Sequence, residues 1–391
     1  MAVYLDHAAT SPIRPEVAAE FARHLGVVGN PSAIHSFGQA AGRLVEEARE
    51  ELASAVGCNR SEVLFTSGGT ESDNLAVKGI YWQQVATSNG ARRVIVTAET
   101  EHHAVLDACL WLQRHDGAEV VFVPVDARGM LDLGWLGGFL ADRAAEVALI
   151  TLMWANNETG VVTDIPEVCR IAGEHGLPVH SDAVAAFGHI PIDFAASGLA
   201  AMSITAHKVG GPVGVGALIV ARSLKLTALQ HGGGHERGMR SGTLNAPAAK
   251  AFALAATMAV AEVHARTAEF EGLRDRLING VLAMGVDVVL TRGDAPALPN
   301  NAHFTFAGCT GDSLLFLLDM AGVSVSTGSA CTAGVPRASH VVMATGRAEN
   351  EAIGSMRVTL GWNSTQHDVD ALLAALPAAL EGALKAGLNA R

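Results

Sequence analysis

Residues 178–182 read Pro-Val-His-Ser-Asp, and residues 201–208 read Ala-Met-Ser-Ile-Thr-Ala-His-Lys. Each starts as a short strand of mostly apolar or small residues and ends near a charge. Strands of that texture are covered on both faces, as in a parallel sheet between helices. Such sheets collect ligands at the carboxyl ends of their strands. Asp182 and Lys208 fall at two such ends, 26 residues and one strand apart.

The same texture extends in both directions. Val63–Thr66, Arg93–Thr97, Glu119–Val123 and Ala148–Leu152 read as strands before this pair, and Gly216–Val220 reads as one after it. Helical stretches at Gly42–Val56, Glu71–Val85, His103–His115 and Pro166–His175 lie between most of them. The alternation predicts an α/β fold: a mostly parallel seven-stranded sheet sandwiched by helices. After about Asn245 the texture changes. A long Ala-rich helix, Ala246–Met284, leads to strands at Val286–Leu290, Ala302–Phe306, Val323–Val325 and Ser355–Leu360. Helices at Gly311–Met320 and Gln366–Leu384 complete a smaller α+β domain. The expected division is a large domain, residues 14–257, and a small one made of residues 1–13 and 258–391. The Pro/Gly/Asp cluster Arg292–Asn301 reads as a surface loop.

Composition narrows the function. The chain has 391 residues, 49% hydrophobic and 17% charged, which excludes a disordered chain. Its net charge of −12 argues against direct nucleic-acid binding, which needs clustered Lys and Arg. No apolar run approaches the roughly 20 residues of a membrane span, and Ala251–Ala261 reads as a buried helix. The five cysteines are Cys58, Cys109, Cys169, Cys309 and Cys331, the closest pair 22 residues apart. No zinc-ligand spacing exists, so no metal is expected, and a reduced, cytoplasmic chain is the simplest reading.

Several segments carry chemistry. Thr66-Ser67-Gly68-Gly69-Thr70-Glu71-Ser72 follows a strand and opens a helix, so its free N–H groups form an anion cradle. It lacks the Walker and dinucleotide signatures, and a phosphate monoester suits it better than a nucleoside triphosphate. Asp182 at a strand end can hold a pyridinium N–H or simply cap the next helix. Lys208 enters the Gly/Pro-rich loop Val209–Pro212, where a rigidly aimed amine can form a Schiff base. Cys331 lies in Ser326-Thr327-Gly328-Ser329-Ala330-Cys331-Thr332-Ala333-Gly334. Its neighbours are all small, which predicts a pliant loop and an accessible thiol nucleophile. His102-His103 stands at a helix start, suited to stacking or proton transfer. Asn156–Gly160 follows a strand. Arg357, inside a strand, either binds a carboxylate bidentately or faces solvent. His231–Thr243 is an unusually polar, Gly-rich loop.

Together these segments resemble the NifS/IscS-type cysteine desulfurases, pyridoxal-phosphate (PLP) enzymes of the aminotransferase fold. The resemblance runs in order through YLDHAAT from Tyr4, GNPS from Gly29, SGGTES, TEHHAVLD, NNETG, SDA, AHK, HGGGHERGMRSGT, TGSACTAG and SMRVTLG. It implies that Lys208 holds the cofactor as a Schiff base and later moves protons. Asp182 would pair with the pyridine nitrogen, and His102 would stack on the ring and assist proton transfer. Asn157 would lie near the ring oxygen and the substrate. Gly69, Thr70, Thr205 and His207 would bind the phosphate, and Thr243 would reach the phosphate of a neighbouring subunit, which implies a homodimer. Arg357 would take the carboxylate of L-cysteine, and Cys331 would attack its sulfur, become a persulfide and leave alanine. The form of the Cys331 segment resembles the group with a long mobile catalytic loop, whose sulfur goes to iron–sulfur scaffolds or other acceptors, among them tRNA-thiolating enzymes. The sequence leaves open whether Cys331 shares an iron–sulfur cluster with such a scaffold.

One departure stands out. The family reads Asp-Ala-Thr-Gln where this chain reads Asp182-Ala183-Val184-Ala185, and alanine cannot donate to the ring oxygen. Asn157 is one residue placed to supply that bond. His189 stands where a Lys is common, and His235 where a Gln is common. A selenocysteine lyase or related PLP lyase, and a weakly active homologue that docks a scaffold, are the competing readings. A plain aminotransferase has no use for a thiol on such a segment.

Overall fold

The computed structural model describes residues 2–328 and 338–389, with side chains to residue 385. Its main sheet has seven strands, ordered Val63–Thr66, Gly216–Val220, Ala201–Thr205, Val179–Asp182, Val147–Thr151, Val94–Thr97 and Glu119–Phe122. Gly216–Val220 runs antiparallel to both its neighbours, and the other pairings are parallel. Val147–Thr151 and Ala201–Thr205 are buried at every residue, as helices on both faces require. The expected α/β sandwich is therefore the observed one, with strand limits within two residues of those read from the sequence.

A second, three-stranded antiparallel sheet has Asn301–Phe306 between Val288–Leu290 and Ser355–Thr359. Its core takes Val3 and Leu5 from the start of the chain, together with Leu314, Leu318, Leu372 and Leu376. The helix Ala246–Leu282 joins the two cores. Ala251, Phe252 and Ala255 are buried in the large core, and Leu277 and Val281 in the small one. This helix is long and apolar enough to cross a membrane by length and composition. Its stretch Ala251–Ala259 is instead largely packed inside the protein, as expected of Ala251–Ala261, though Ala261 itself is exposed.

Three features escaped the sequence reading. Leu133–Arg143 is helical although it holds three glycines; Asp132 caps it by accepting from the Trp135 N–H, and Leu136 and Leu140 are buried. Pro15–His24 forms a helix with proline in its first turn. The two-residue strand Val3–Tyr4 is too short for any periodicity to show; it pairs in parallel with Val323–Ser324, the strand expected at Val323–Val325.

The segment Arg292–Asn301 departs from its expected place on the surface. Ala295, Leu298 and Asn300 are buried, and Leu298 N–H donates to the Gly160 carbonyl at 2.8 Å. Its Pro and Gly residues mark a chain reversal correctly, but turn chemistry does not encode what packs against the turn.

Candidate active site

The carboxyl ends of the central strands open into a cavity of about 460 Å³. Gly69, Thr70, His102, Asn157, Asp182, Thr205, His207, Lys208 and Arg357 all line it. These residues come from separate strand ends and helix starts, and from the second sheet. Lys208 closes a short helical turn, Ala206–Lys208, directly after its strand. Its ammonium donates to the carbonyls of Ala8 and Ala9, the latter at 2.7 Å. Burial, and then the Arg357 guanidinium, bring the amine down to about 8.

Asp182 ends its strand, and its Oδ1 accepts the Val184 N–H at 2.8 Å. Burial pushes its carboxyl up, with His102 and Lys208 opposing. His102 caps the helix His103–His115 by accepting the Ala104 N–H at 3.1 Å, so its imidazole is fixed at the cavity edge. Burial lowers its basicity.

The anion cradle forms where Gly68 has φ 154° and ψ −178°, a conformation essentially reserved for glycine. The helix Gly69–Thr87 starts there and points its free N–H groups at the cavity. Glu71 braces the turn: its carboxylate accepts the Ser67 N–H at 2.7 Å and Arg240 Nε at 2.7 Å. Burial works to raise Glu71, and these bonds outweigh it and hold the carboxyl low. Arg240 thus anchors the polar loop 231–243 to the cradle. His207, brought down to about 4 by burial, shares a 3.2 Å bond with Thr10 Oγ1.

Arg357 does not face solvent. It is buried; Nη2 donates to Asp6 Oδ1 at 2.7 Å and Nη1 to the Asn157 carbonyl at 2.8 Å. Its Nε, and Oδ1 of the Asn157 side chain, have no partner among the described residues. Ala185 and His189 also line the cavity.

Sequence reasoning missed a set of buried acids. Asp73 lines the cavity one turn into the helix that follows the cradle; its Oδ1 accepts no hydrogen bond among the described residues and lies 3.8 Å from His180 Nε2. Burial, and then the Asp182 charge, push it well up. Behind it His180, brought down to about 3 by burial, bridges Thr151 Oγ1 at 2.9 Å and Ser203 Oγ at 3.0 Å. Glu101, also pushed well up by burial, accepts the Met153 N–H at 2.7 Å. Glu158 is buried beside Ser339. Asp73 follows Glu71-Ser72 and precedes Leu75-Ala76-Val77, so the change to an apolar run marks where the helix goes inside.

Thr243 is exposed and does not line the cavity of its own chain. Cys331 lies outside the described residues, which stop at Gly328 on the cavity rim. Burial raises the thiols of Cys58 and Cys169 to about 12 and that of Cys309 to about 11, and pushes Cys109 up as well. None of these four is suited to act as a thiolate at neutral pH.

The model of the family "Aminotransferase class-V" matches residues 3–372. An IscS-like cysteine desulfurase of Mycobacterium tuberculosis is 50% identical over 388 residues, 99% of this chain and 98% of that protein. The cysteine desulfurase IscS of Dictyoglomus turgidum is 40% identical, covering 97% of this chain and 94% of its own. The crystal structure of a NifS-like protein from Rickettsia africae superposes with a TM-score of 0.87 at 29% identity, over 97% of this chain and all of that one. The chain belongs to the class-V aminotransferase family, among the homologues of the IscS/NifS cysteine desulfurases.

Proposed function

We propose that this protein is a PLP-dependent cysteine desulfurase that turns L-cysteine into L-alanine and takes the sulfur as a persulfide on Cys331. The observation that carries the reading is the convergence of the Lys208 amine, the Asp182 carboxylate and the Arg357 guanidinium on one cavity, whose lining includes Gly328, three residues before Cys331 in the chain.

The residues fit the cofactor. Asp182 is a buried carboxylate that makes no ion pair within 4 Å among the described residues, and a pyridinium would supply one. The glycine cradle with Thr70, Thr205 and His207 matches a phosphate. Lys208, at about 8, is neutral often enough near neutral pH to bond a carbonyl carbon. When bound, PLP withdraws electrons from the substrate so that its α-proton can leave. Lys208 is then the base that takes and returns protons, and His102 is the second proton carrier and the ring's neighbour. Arg357 holds the substrate carboxylate, and Asn157 presents its amide beside it.

In the sulfur step the Cys331 thiolate bonds to the substrate sulfur as the C–S bond breaks. The electron pair stays with the carbon fragment, which gains a proton and leaves as alanine. No external oxidant or reductant is required. The persulfide then passes to an acceptor protein, an iron–sulfur scaffold or another sulfur acceptor.

We assign residues 14–257 to the cofactor-binding domain and residues 1–13 with 258–391 to the small one. The two cores joined by the helix Ala246–Leu282 support that division. A homodimer is supported by the apolar strip Leu25, Val27, Val28, Ile34 and Phe37, with Ile34 91% exposed. Thr243 would act across that dimer. A cytoplasmic location is supported by the four described cysteines, all unpaired.

The test is Cys331→Ala. It keeps the cofactor's colour but loses alanine formation from L-cysteine. A variant fully active on cysteine overturns the reading, and one active only on selenocysteine favours a lyase.

A further inference from the structure

A second, smaller cavity of about 30 Å³ shares a wall with the first. Lys208 and His189 line both, so together they form that wall. Gly188 makes the placement possible. Its φ is +77°, and a β-carbon on it would lie 2.7 Å from Val209 Cγ1 and 3.0 Å from the Ala259 β-carbon. The chain passes close against the loop after Lys208 and the helix Ala246–Leu282, which brings His189 beside the lysine. The imidazole makes no hydrogen bond to another described residue. Burial, and then His7, Arg14 and Lys208, bring it down to about 4, so the ring is neutral near neutral pH. A neutral imidazole has one nitrogen that accepts and one that donates.

The small cavity suits proton movement. Ser11, Arg14 and Glu262 line it together with His189, and its volume takes one water molecule. Arg14 holds Glu262 with two bonds, Nη1 to Oε1 at 2.7 Å and Nη2 to Oε2 at 2.9 Å. The Glu262 side chain is 36% exposed, so the far wall of the small cavity meets solvent. A second link runs beside the first. His7 lines the main cavity and Ser11 the small one, and His7 Nδ1 lies 2.8 Å from Ser11 Oγ.

We propose that His189 is a proton relay between Lys208 and solvent, passing protons through the small cavity behind the lysine. It acts through Lys208 and not on the substrate. The inference rests on the desulfurase reading, in which Lys208 takes the substrate's α-proton and returns a proton to the carbon fragment. After the first transfer Lys208 is an ammonium. One of its protons passes to one nitrogen of His189 while the other nitrogen gives its own to water. A solvent proton returns by the reverse path, so protons are exchanged and no charge is left behind. A lysine at this position, common in the family, sets a second positive charge against Lys208, whereas histidine is a neutral carrier with two ends.

The experiment gives L-cysteine deuterated at Cα to wild-type and His189→Gln holoenzyme in ordinary water and reads the deuterium left in the alanine by mass spectrometry. In wild type the label exchanges from Lys208 before a proton returns, and the alanine is nearly unlabelled. In His189→Gln up to about a third of the alanine keeps the label, since one of three ammonium protons is then the deuteron. A purely structural loss changes rates without changing where the returned proton comes from. A second readout needs neither turnover nor a folded variant: exchange of the imidazole Cε1 hydrogen in D2O, mapped by peptide mass on wild-type holoenzyme. His180 and His303, both fully buried, are the references. His189 exchanges at least about tenfold faster than either. Equal label retention in the two enzymes, or His189 exchange as slow as that of the references, overturns the inference. A wild-type enzyme that makes alanine without a Cys331 persulfide overturns the desulfurase reading instead, and the label and the imidazole exchange still read the relay.

Discussion

Ser326 and Arg357 exchange two main-chain hydrogen bonds, 2.6 Å from the Arg357 N–H to the Ser326 carbonyl and 3.1 Å in return. The arginine assigned to the substrate carboxylate and the chain leading to Cys331 are thus parts of one bridged pair. The same bridge extends through the Arg357 side chain to Asp6 and to the Asn157 carbonyl. The stem of the cysteine segment is fixed to the substrate anchor by backbone bonds, and the turn 156–160 is fixed to it through the Arg357 guanidinium.

Arg357→Lys tests the anchor. Lysine keeps the charge but not the planar fork that spans Asp6 and Asn157. KM for L-cysteine rises about 10–100-fold, while the amount of bound cofactor stays at the wild-type level. Steady-state kinetics with a parallel cofactor assay read both. An unchanged KM removes Arg357 from the substrate site.

The Lys208 amine sets a pH dependence that needs no turnover. Only its neutral form attacks the aldehyde of PLP, and the buried amine loses its proton at about 8. The rate at which apoenzyme captures PLP therefore rises from pH 6.5, bends near 8 and is flat above 9. Stopped-flow absorbance gives the profile. A rate still rising steeply at pH 10 means that the amine has the basicity of an ordinary exposed lysine.

Much of this was legible in the sequence, and what was not has a physical cause. Asp182 and Lys208 stand out because they fall together at two successive strand ends, where such a sheet collects ligands. Asp73, Glu101 and Glu158 do not stand out, because each sits in a polar stretch that reads as a solvated helix start or turn. Only the packing of other elements over them makes them buried. Leu298 and Asn300 were hidden in the same way, in a segment whose Pro and Gly residues announce a turn and nothing about its partners.

Ala185→Gln tests the main departure from the family. Ala185 lines the cavity, so a longer amide reaches into it. A new donor beside the ring oxygen favours the deprotonated chromophore. The pH midpoint of the cofactor's visible absorption falls by about one unit. An unmoved midpoint indicates that the ring oxygen already has its donor.

Ile34→Asp combined with Phe37→Asp tests the dimer. Both side chains are exposed in the single chain, and charges there do not burden the monomer's fold. Sedimentation gives a dimer for wild type and a monomer for the double variant. A dimer that survives both changes places the interface elsewhere.

The most direct measurement is the intact mass of the purified holoenzyme before and after L-cysteine, followed by peptide mapping. The predicted result is a gain of one sulfur atom on the peptide containing Cys331, reversed by a thiol reductant, with alanine released. Alanine released with no sulfur on that peptide would contradict the persulfide mechanism.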